Sequence, residues 1–287
     1  MKPEKILKNL SKAARLALYQ PSHFLTRIKA KLVLPLCPDL YCDISVNGIR
    51  FHIDPSVAPM MKEICYGFYE TEVKSILGKY LREGDVCIDV GANIGYLTAF
   101  MASLVGKSGQ VHSFEPVPEY FARLAMVRDD NSEYSILINA AALGERPGTA
   151  EICVTNRENI GWNTMVPNFM RPSTVKEKLK VPVIRLDEYI QEKGLPGVRL
   201  IKIDTEGFEL PVIKGMSNFL SETNVKPIII AEIAPNAYPK LGTSLGELTA
   251  LMDNHKYRPF STETLKPINV NALTATTNVL YLPPSVQ

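Results

Sequence analysis

The sequence predicts a doubly wound α/β fold, a mainly parallel sheet with helices on both faces. Three observations lead there. Short strand-like runs recur at Val86–Val90, Gln110–Phe114, Ser135–Asn139, Arg199–Asp204 and Pro227–Glu232, apolar enough to be buried on both faces. Helical stretches alternate with them, as crossover connections between parallel strands require. The first strand ends in glycines and opens straight into a helix, reading Gly84-Asp-Val-Cys-Ile-Asp-Val-Gly-Ala-Asn-Ile-Gly-Tyr96. The last two strands, Tyr257–Ser261 and Asn278–Leu282, are expected to close the sheet as an antiparallel pair around the exposed loop Lys266–Thr277.

At 287 residues and 46% hydrophobic content, the chain can hold one large domain with an appendage. We divide it into an N-terminal extension, 1–63, and a main domain, 64–287. The net charge of +2 is unevenly spread: residues 1–31 hold eight Lys or Arg and one acid, Glu4, leaving the rest at −5. A net acidic body speaks against nucleic acid as a partner, since backbone binding needs a basic cleft. Residues 3–19 read as an amphipathic helix, with Ile6, Leu7, Leu10, Ala13, Ala14 and Ala17 on one side and Lys5, Lys8, Lys12 and Arg15 mostly on the other. With Arg27, Lys29 and Lys31 it suits peripheral contact with an anionic membrane, or packing on its own domain or on a second copy in a homo-oligomer. No run is long enough to cross a bilayer, and Lys12, Arg15 and Pro21 interrupt any secretory signal. Cys37, Cys42, Cys65, Cys87 and Cys153 form no CxxC pair and read as reduced residues of a cytoplasmic protein. The four histidines do not join them at zinc-ligand spacing.

Taken in order, Tyr41–Val46 and Ile49–Ile53 flank Asn47-Gly48 and predict a hairpin. Pro55, Pro59 and Met60-Met61 read as loop. Tyr66–Thr71 precedes a helix reaching about Leu81, with Thr71 or Glu70 at its start. Further helices are expected over Tyr96–Val105, Pro118–Arg128, Leu186–Gln191, Phe208–Gly215 and Leu245–His255, and strands over Thr149–Val154 and Val181–Ile184. Between these last strands runs the long loop Asn156–Lys180, which carries the single tryptophan, Trp162, beside Asn163.

The glycine-rich turn narrows the ligand class. A dinucleotide site has G-x-G-x-x-G, whose middle glycine admits a pyrophosphate; here the spacing is Gly91-x-x-x-Gly95 with Asp89 just before. That pattern is closer to a site for a nucleoside without phosphates, such as S-adenosylmethionine. Twenty residues after Gly95 comes Glu115, at a strand end where a carboxylate can accept both hydroxyls of a ribose. Asn139 and Ala140 end the third strand, where Asn139 either pairs with the adenine amino group or closes a turn. Open α/β sheets bind ligands at the carboxyl ends of their strands. Asp89, Glu115, Asn139, Asp204 with Glu206, and Glu232 all fall at such ends, and a sulfonium with an ammonium group would offset so many carboxylates.

Four ordered motifs then become specific: Asp89-Val-Gly-Ala-Asn-Ile-Gly95, Phe114-Glu-Pro116, Asn139-Ala-Ala-Ala-Leu-Gly144 and Ile203-Asp-Thr-Glu-Gly-Phe-Glu209. Together they resemble the FkbM family of S-adenosylmethionine-dependent methyltransferases over roughly residues 64–235. The chain departs from the family at Thr205, where an apolar residue is usual. The resemblance implies a class I methyltransferase, Rossmann-like fold and O-methylation of a hydroxyl on a sugar, glycolipid or secondary metabolite. Asp89, Gly91, Ala92, Asn93, Gly95, Glu115, Pro116, Asn139 and Ala140 are the expected cofactor contacts. In methyltransferases of similar layout the segment before the first helix folds over the cofactor, which makes Tyr69 and Glu70 candidates for its methionine end; otherwise Tyr69 is core and Glu70 a helix-start acid. An alcohol acceptor needs a general base of raised pKa. Glu206 is the first candidate, because Asp204 two residues away can raise its pKa, and Glu232 the second; Asp204 alternatively faces the methionine end. Trp162 and Asn163 either stack on an acceptor sugar or pin the loop. Asp204, Glu206 and Glu232 offer oxygen ligands that could hold magnesium or calcium, as some oxygen methyltransferases do, but no Asp-Asn ligand set of the usual sort is present and no metal is expected. The alternative reading is a non-catalytic cofactor-binding scaffold, or a methyltransferase for another acceptor class.

Overall fold

A computed structural model of the chain describes residues 28, 29, 32, 33, 42–54, 60–156, 161–195 and 197–286. The helix expected over 3–19, Tyr41, Cys37, Pro55 and Pro59 lie outside the described residues. No helix among those described is long and apolar enough to cross a membrane.

Chain order is β1 Cys42–Val46, β2 Ile49–Ile53, α1 Met60–Cys65, α2 Thr71–Tyr80, β3 Val86–Val90, α3 Tyr96–Val105, β4 Gln110–Phe114, α4 Pro118–Asp130, β5 Ser135–Asn139, β6 Ala142–Leu143, β7 Gly148–Thr155 and β8 Val175–Ile184. Then come α5 Leu186–Lys193, β9 Leu200–Ile203, α6 Glu209–Lys214, α7 Ser217–Glu222, β10 Ile228–Ile233, α8 Leu245–Asn254, β11 Arg258–Ser261 and β12 Thr277–Leu282. The main sheet has seven strands in the order β11-β12-β10-β9-β3-β4-β5. Pairings among β10, β9, β3, β4 and β5 are parallel; β12 runs antiparallel to both β10 and β11. The mainly parallel sheet with its antiparallel C-terminal pair is thus the architecture that the alternating pattern predicts.

The central strands are apolar because both faces are covered. Leu200, Ile201 and Ile203 of β9 and Ile228–Ala231 of β10 are at most 1% exposed. One core layer includes Leu77, Ala99 and Val111, the other Ile88, Leu210 and Tyr257. The β1–β2 hairpin joins the first layer: Phe51 meets Tyr96 edge-on at 5.5 Å, and the Arg50 amide donates to Asn131 Oδ1 at 2.8 Å. Strand register fixes the layout of the sheet's carboxyl edge. Val90 pairs with Phe114 on one side and Ile203 on the other, and Ile203 pairs with Ala231. The next residues along, Gly91, Glu115, Asp204 and Glu232, therefore emerge side by side at the strand tips.

Several elements differ from expectation. Met60-Met61 opens helix α1, whose Met61 and Ile64 are buried. The expected loop over 156–180 is strand from Val175 onwards, pairing antiparallel with β7 and forming a small sheet β6-β8-β7. Its alternation is hidden in the sequence because lysines and glutamates fill the outer face; Lys178 pairs with Glu151 across the strands at 2.7 Å. Helix α7 is a further addition, built around a single buried residue, Leu220.

Candidate active site

A cavity of 430 Å³ opens over the tips of β3, β4, β9 and β10, a size ordinary for a small-molecule site of about 300–1,000 Å³. At its floor, Gly91 has φ +76°, and a Cβ there would lie 1.8 Å from the Asp204 carbonyl oxygen. Only glycine lets the β3 and β9 tips approach so closely. The five loop amides are all engaged: Gly91 and Ala92 donate to the Phe114 carbonyl, Asn93 to Glu115 Oε2, Ile94 to Asn93 Oδ1 and Gly95 to the Ala92 carbonyl, at 2.7–3.0 Å. Glu115 is nearly buried, and burial pushes its carboxyl up to about 7 against the opposing bonds from the Val117 and Asn93 amides. Each oxygen accepts one amide and keeps a second lone pair, acceptor capacity enough for two hydroxyls.

Opposite stands an acidic cluster. Asp204, Glu206 and Glu232 each offer a carboxylate oxygen within 4.8 Å of the others. Burial, reinforced by Asp204 and Glu209, raises the Glu206 carboxyl far above its usual range. Glu232 is raised further, chiefly by the Asp204 charge and then by burial. Crowded carboxylates hold protons more tightly because they cannot all ionise. The trio is close enough to share a divalent cation, and all-oxygen donors would suit magnesium or calcium.

Lys202 enters from β9 beside them, its Nζ 3.1 Å from Asp204 Oδ2 and 3.7 Å from Asp89 Oδ1. Burial alone would lower this ammonium, but Asp204 and Asp89 outweigh it and raise it above its ordinary value. The turn that presents Glu206 is held from three sides. Glu206 has φ +51°; its carbonyl accepts from Thr164 Oγ1 at 2.7 Å. Gly207 N and Thr205 Oγ1 both donate to Glu209 Oε1, at 2.8 and 3.1 Å.

The Methyltransferase FkbM domain model matches residues 89–259, more than half of the chain. The chain belongs to the FkbM methyltransferase family. It is an S-adenosylmethionine-dependent methyltransferase, and S-adenosylmethionine is its cofactor. Among its relatives, the hexuronic acid methyltransferase AglP of Haloferax volcanii is 28% identical over 61% of this chain and 67% of that protein. The 31-O-demethyl-FK506 methyltransferase FkbM of Streptomyces tacrolimicus is 30% identical over 63% of this chain and 75% of its own. A solved FkbM methyltransferase from Methylobacillus flagellatus KT aligns with 92% of this chain and 60% of its own at 14% identity, with a TM-score of 0.44.

The residues present suit that cofactor: Glu115 has acceptor capacity for a ribose, and the acidic wall suits a sulfonium and an ammonium. Of the contacts predicted from this FkbM sequence, Tyr69, Glu70, Gly91, Ala92, Asn93, Glu115 and Pro116 line the cavity. So do Asp204, Glu206, Glu232, Trp162 and Asn163. Trp162, 51% exposed, stands at the rim, and Asn163 Oδ1 accepts from the Thr155 amide at 2.9 Å, fixing the start of the loop. Tyr69 packs edge-on against Tyr96 at 5.7 Å, so it is both core and wall. Glu70 has φ +47° at the start of α2 and accepts from Asn278 Nδ2 at 3.4 Å.

The other predicted contacts lie off the cavity wall, each for a physical reason. Asp89 is completely buried beneath the loop, where Thr98 Oγ1 donates to its Oδ2 at 2.7 Å. Gly95 caps α3 and packs on Leu124 and Val127. Asn139 turns back into the fold, donating to the Ser113 carbonyl at 3.1 Å and to Tyr189 Oη at 3.3 Å. Ala140 faces a separate groove beside Phe121, while Ala141 and Ala142 reach the cavity instead. Lys202 is a lining residue that sequence reasoning does not single out, and Thr205, noted there only as a departure from the family pattern, lines the cavity too. A signal for Lys202 exists all the same: it stands two residues before Asp204, and alternate residues of a strand share a face.

Proposed function

We propose that this enzyme methylates a hydroxyl oxygen of a sugar, glycolipid or other secondary metabolite, with Glu206 as the general base. The observation that carries the reading is the placement of Glu206 on a braced turn, facing the cavity beside Asp204 and Glu232. S-adenosylmethionine supplies an electrophilic methyl group. The chain's own task is to hold an acceptor oxygen at near-attack distance, roughly 3 Å, and to remove its proton as it attacks. Glu206 takes that proton on its carboxylate, and its raised affinity for protons makes it a stronger base than an exposed glutamate. Glu232, more strongly protonated, stays neutral beside it and donates a hydrogen bond to Asp204. Trp162 at the rim offers a flat apolar face to a sugar ring, as aromatic side chains do at sites where one face is wet. A relative named for hexuronic acid and one named for a demethylated hydroxyl position support an oxygen acceptor.

The test has two stages. Calorimetry should show S-adenosylhomocysteine binding to the purified protein. Radiolabelled methyl should then pass from S-adenosylmethionine to hydroxyl-bearing glycans or lipids in an extract, as a base-stable ether. A base-labile ester would refute the hydroxyl acceptor, and binding without transfer would favour a scaffold.

A further inference from the structure

The cavity wall is strongly acidic, yet the cofactor's methionine end is a zwitterion whose carboxylate needs a donor. Among the described lining residues, Glu63, Glu70, Glu115, Asp204, Glu206 and Glu232 are acids, and Lys202 is the one basic side chain. The usual anion cradle of such folds, the amides of the glycine-rich loop, is already committed. All five N–H groups from Gly91 to Gly95 bond within the protein. Lys202 is committed only in part. An ammonium has three N–H donors; one reaches Asp204 at 3.1 Å, and the approach to Asp89 at 3.7 Å is longer than a hydrogen bond. Asp89 Oδ1 correspondingly has no hydrogen-bond partner. The β3–β9 register pairs Asp89 with Lys202, two residues before Gly91 and Asp204, and Lys202 lines the cavity.

We infer that Lys202 is the residue that receives the carboxylate of the cofactor's methionine end, while Asp89 and Asp204 hold its ammonium in place. This rests on S-adenosylmethionine being the cofactor and is independent of the acceptor and of the base. It gives the two aspartates, buried Asp89 and half-buried Asp204, a shared task. They are the counter-ions that keep a buried lysine charged and in place. A lysine held at one point is preorganised and gives up little side-chain freedom on binding.

The test compares two probes in the full chain: S-adenosylhomocysteine, which has the carboxylate, and 5′-methylthioadenosine, which lacks the amino-acid end. Charge-assisted hydrogen bonds of this kind are commonly worth about 10- to 100-fold in affinity. Lys202→Met should weaken S-adenosylhomocysteine by about that factor and leave 5′-methylthioadenosine nearly unchanged. Equal losses for both probes, or none for either, would overturn the inference; unchanged preference would assign the carboxylate to the first-turn amides of α3. Should the variant fold poorly, the wild type answers alone. In a [15N]lysine-labelled sample the Lys202 ammonium signal should shift with S-adenosylhomocysteine and hold still with decarboxylated S-adenosylhomocysteine, whereas equal shifts would overturn the inference. Wild-type protein that binds neither adenosine compound would instead refute the cofactor assignment itself.

Discussion

Gly91→Ala puts the tightest-packed glycine under test. The new Cβ would stand 1.8 Å from the Asp204 carbonyl oxygen, against a normal carbon–oxygen contact of about 3.3 Å. The loop cannot swing away freely, because Gly91 N is tied to the Phe114 carbonyl at 3.0 Å. The β3 and β9 tips must therefore part by roughly 1.5 Å, at a cost typical of overpacking, about 1–3 kcal/mol. The left-handed backbone, φ +76°, adds about 1–2 kcal/mol for any residue with a Cβ. Together these give a loss of about 2–5 kcal/mol. For a domain of this size each kcal/mol lowers Tm by about 2–4 °C, so the melting point should fall by about 4–20 °C. Displacing Asp204 also disturbs Lys202 and Glu232, so affinity for S-adenosylhomocysteine should drop in the fraction that folds. Scanning fluorimetry with and without that ligand measures both. A Tm within about 1 °C of wild type, with unchanged ligand-induced stabilisation, would refute the claim that the two tips meet through a bare backbone.

Glu206→Gln should lower turnover by about 10²–10⁴-fold with little change in S-adenosylhomocysteine affinity. Because the proton-accepting form must be ionised and its pKa is raised, wild-type turnover should climb with pH through and above neutrality, and a profile already flat at pH 6 would remove Glu206 from that role. Glu115 and Glu209 are raised by burial to about 7 in the folded chain from 4.5. Each stabilises the fold fully below pH 4.5 and loses that contribution as pH rises through 7, by on the order of 3 kcal/mol. His112, lowered to about 4 by burial, works the other way and offsets one of them. Glu206 and Glu232 are raised further and add to the loss, so denaturant titrations of the cofactor-free protein should show stability falling between pH 4.5 and 7, and a rise over that interval would contradict it. Trp162 is the single tryptophan and lines the cavity, so S-adenosylhomocysteine should change its emission; an unchanged spectrum at saturation would put it away from the ligand. Removing residues 1–31 should abolish co-sedimentation with phosphatidylserine vesicles, and equal pelleting of both forms would dismiss that arm as a membrane contact.

The sheet is readable from the sequence because its central strands are buried on both faces: runs such as Ile228–Ile230 have no other sensible environment. Strand ends are readable too, since Glu115, Asp204 and Glu232 are acids directly following apolar runs. What the sequence does not carry is direction. Asn139 and Asp89 look like ligands from their positions, yet each turns inward to satisfy a local partner, Ser113 and Thr98 respectively. Strand β8 is obscured because an edge hairpin with one wet face shows only a partial alternation, Val175, Leu179 and Val181 among charges. Lys202 escapes notice because a lysine inside an apolar strand reads as an interruption until its anionic partners on neighbouring strands are known.

The hydrogen bond from Thr164 to the Glu206 carbonyl has a practical consequence for anyone redesigning acceptor choice. The segment bearing Trp162 and the turn bearing Glu206 are latched, and Val166 from the same segment packs against Ala237 just behind Gly207. On the acceptor role proposed for Trp162, swapping that segment for one from another family member should alter which molecule is admitted and also the aim of the carboxylate behind it. Chimeras that import a foreign rim while retaining Thr164 and Val166 should keep working chemistry, and those that replace both should bind new molecules without transforming them.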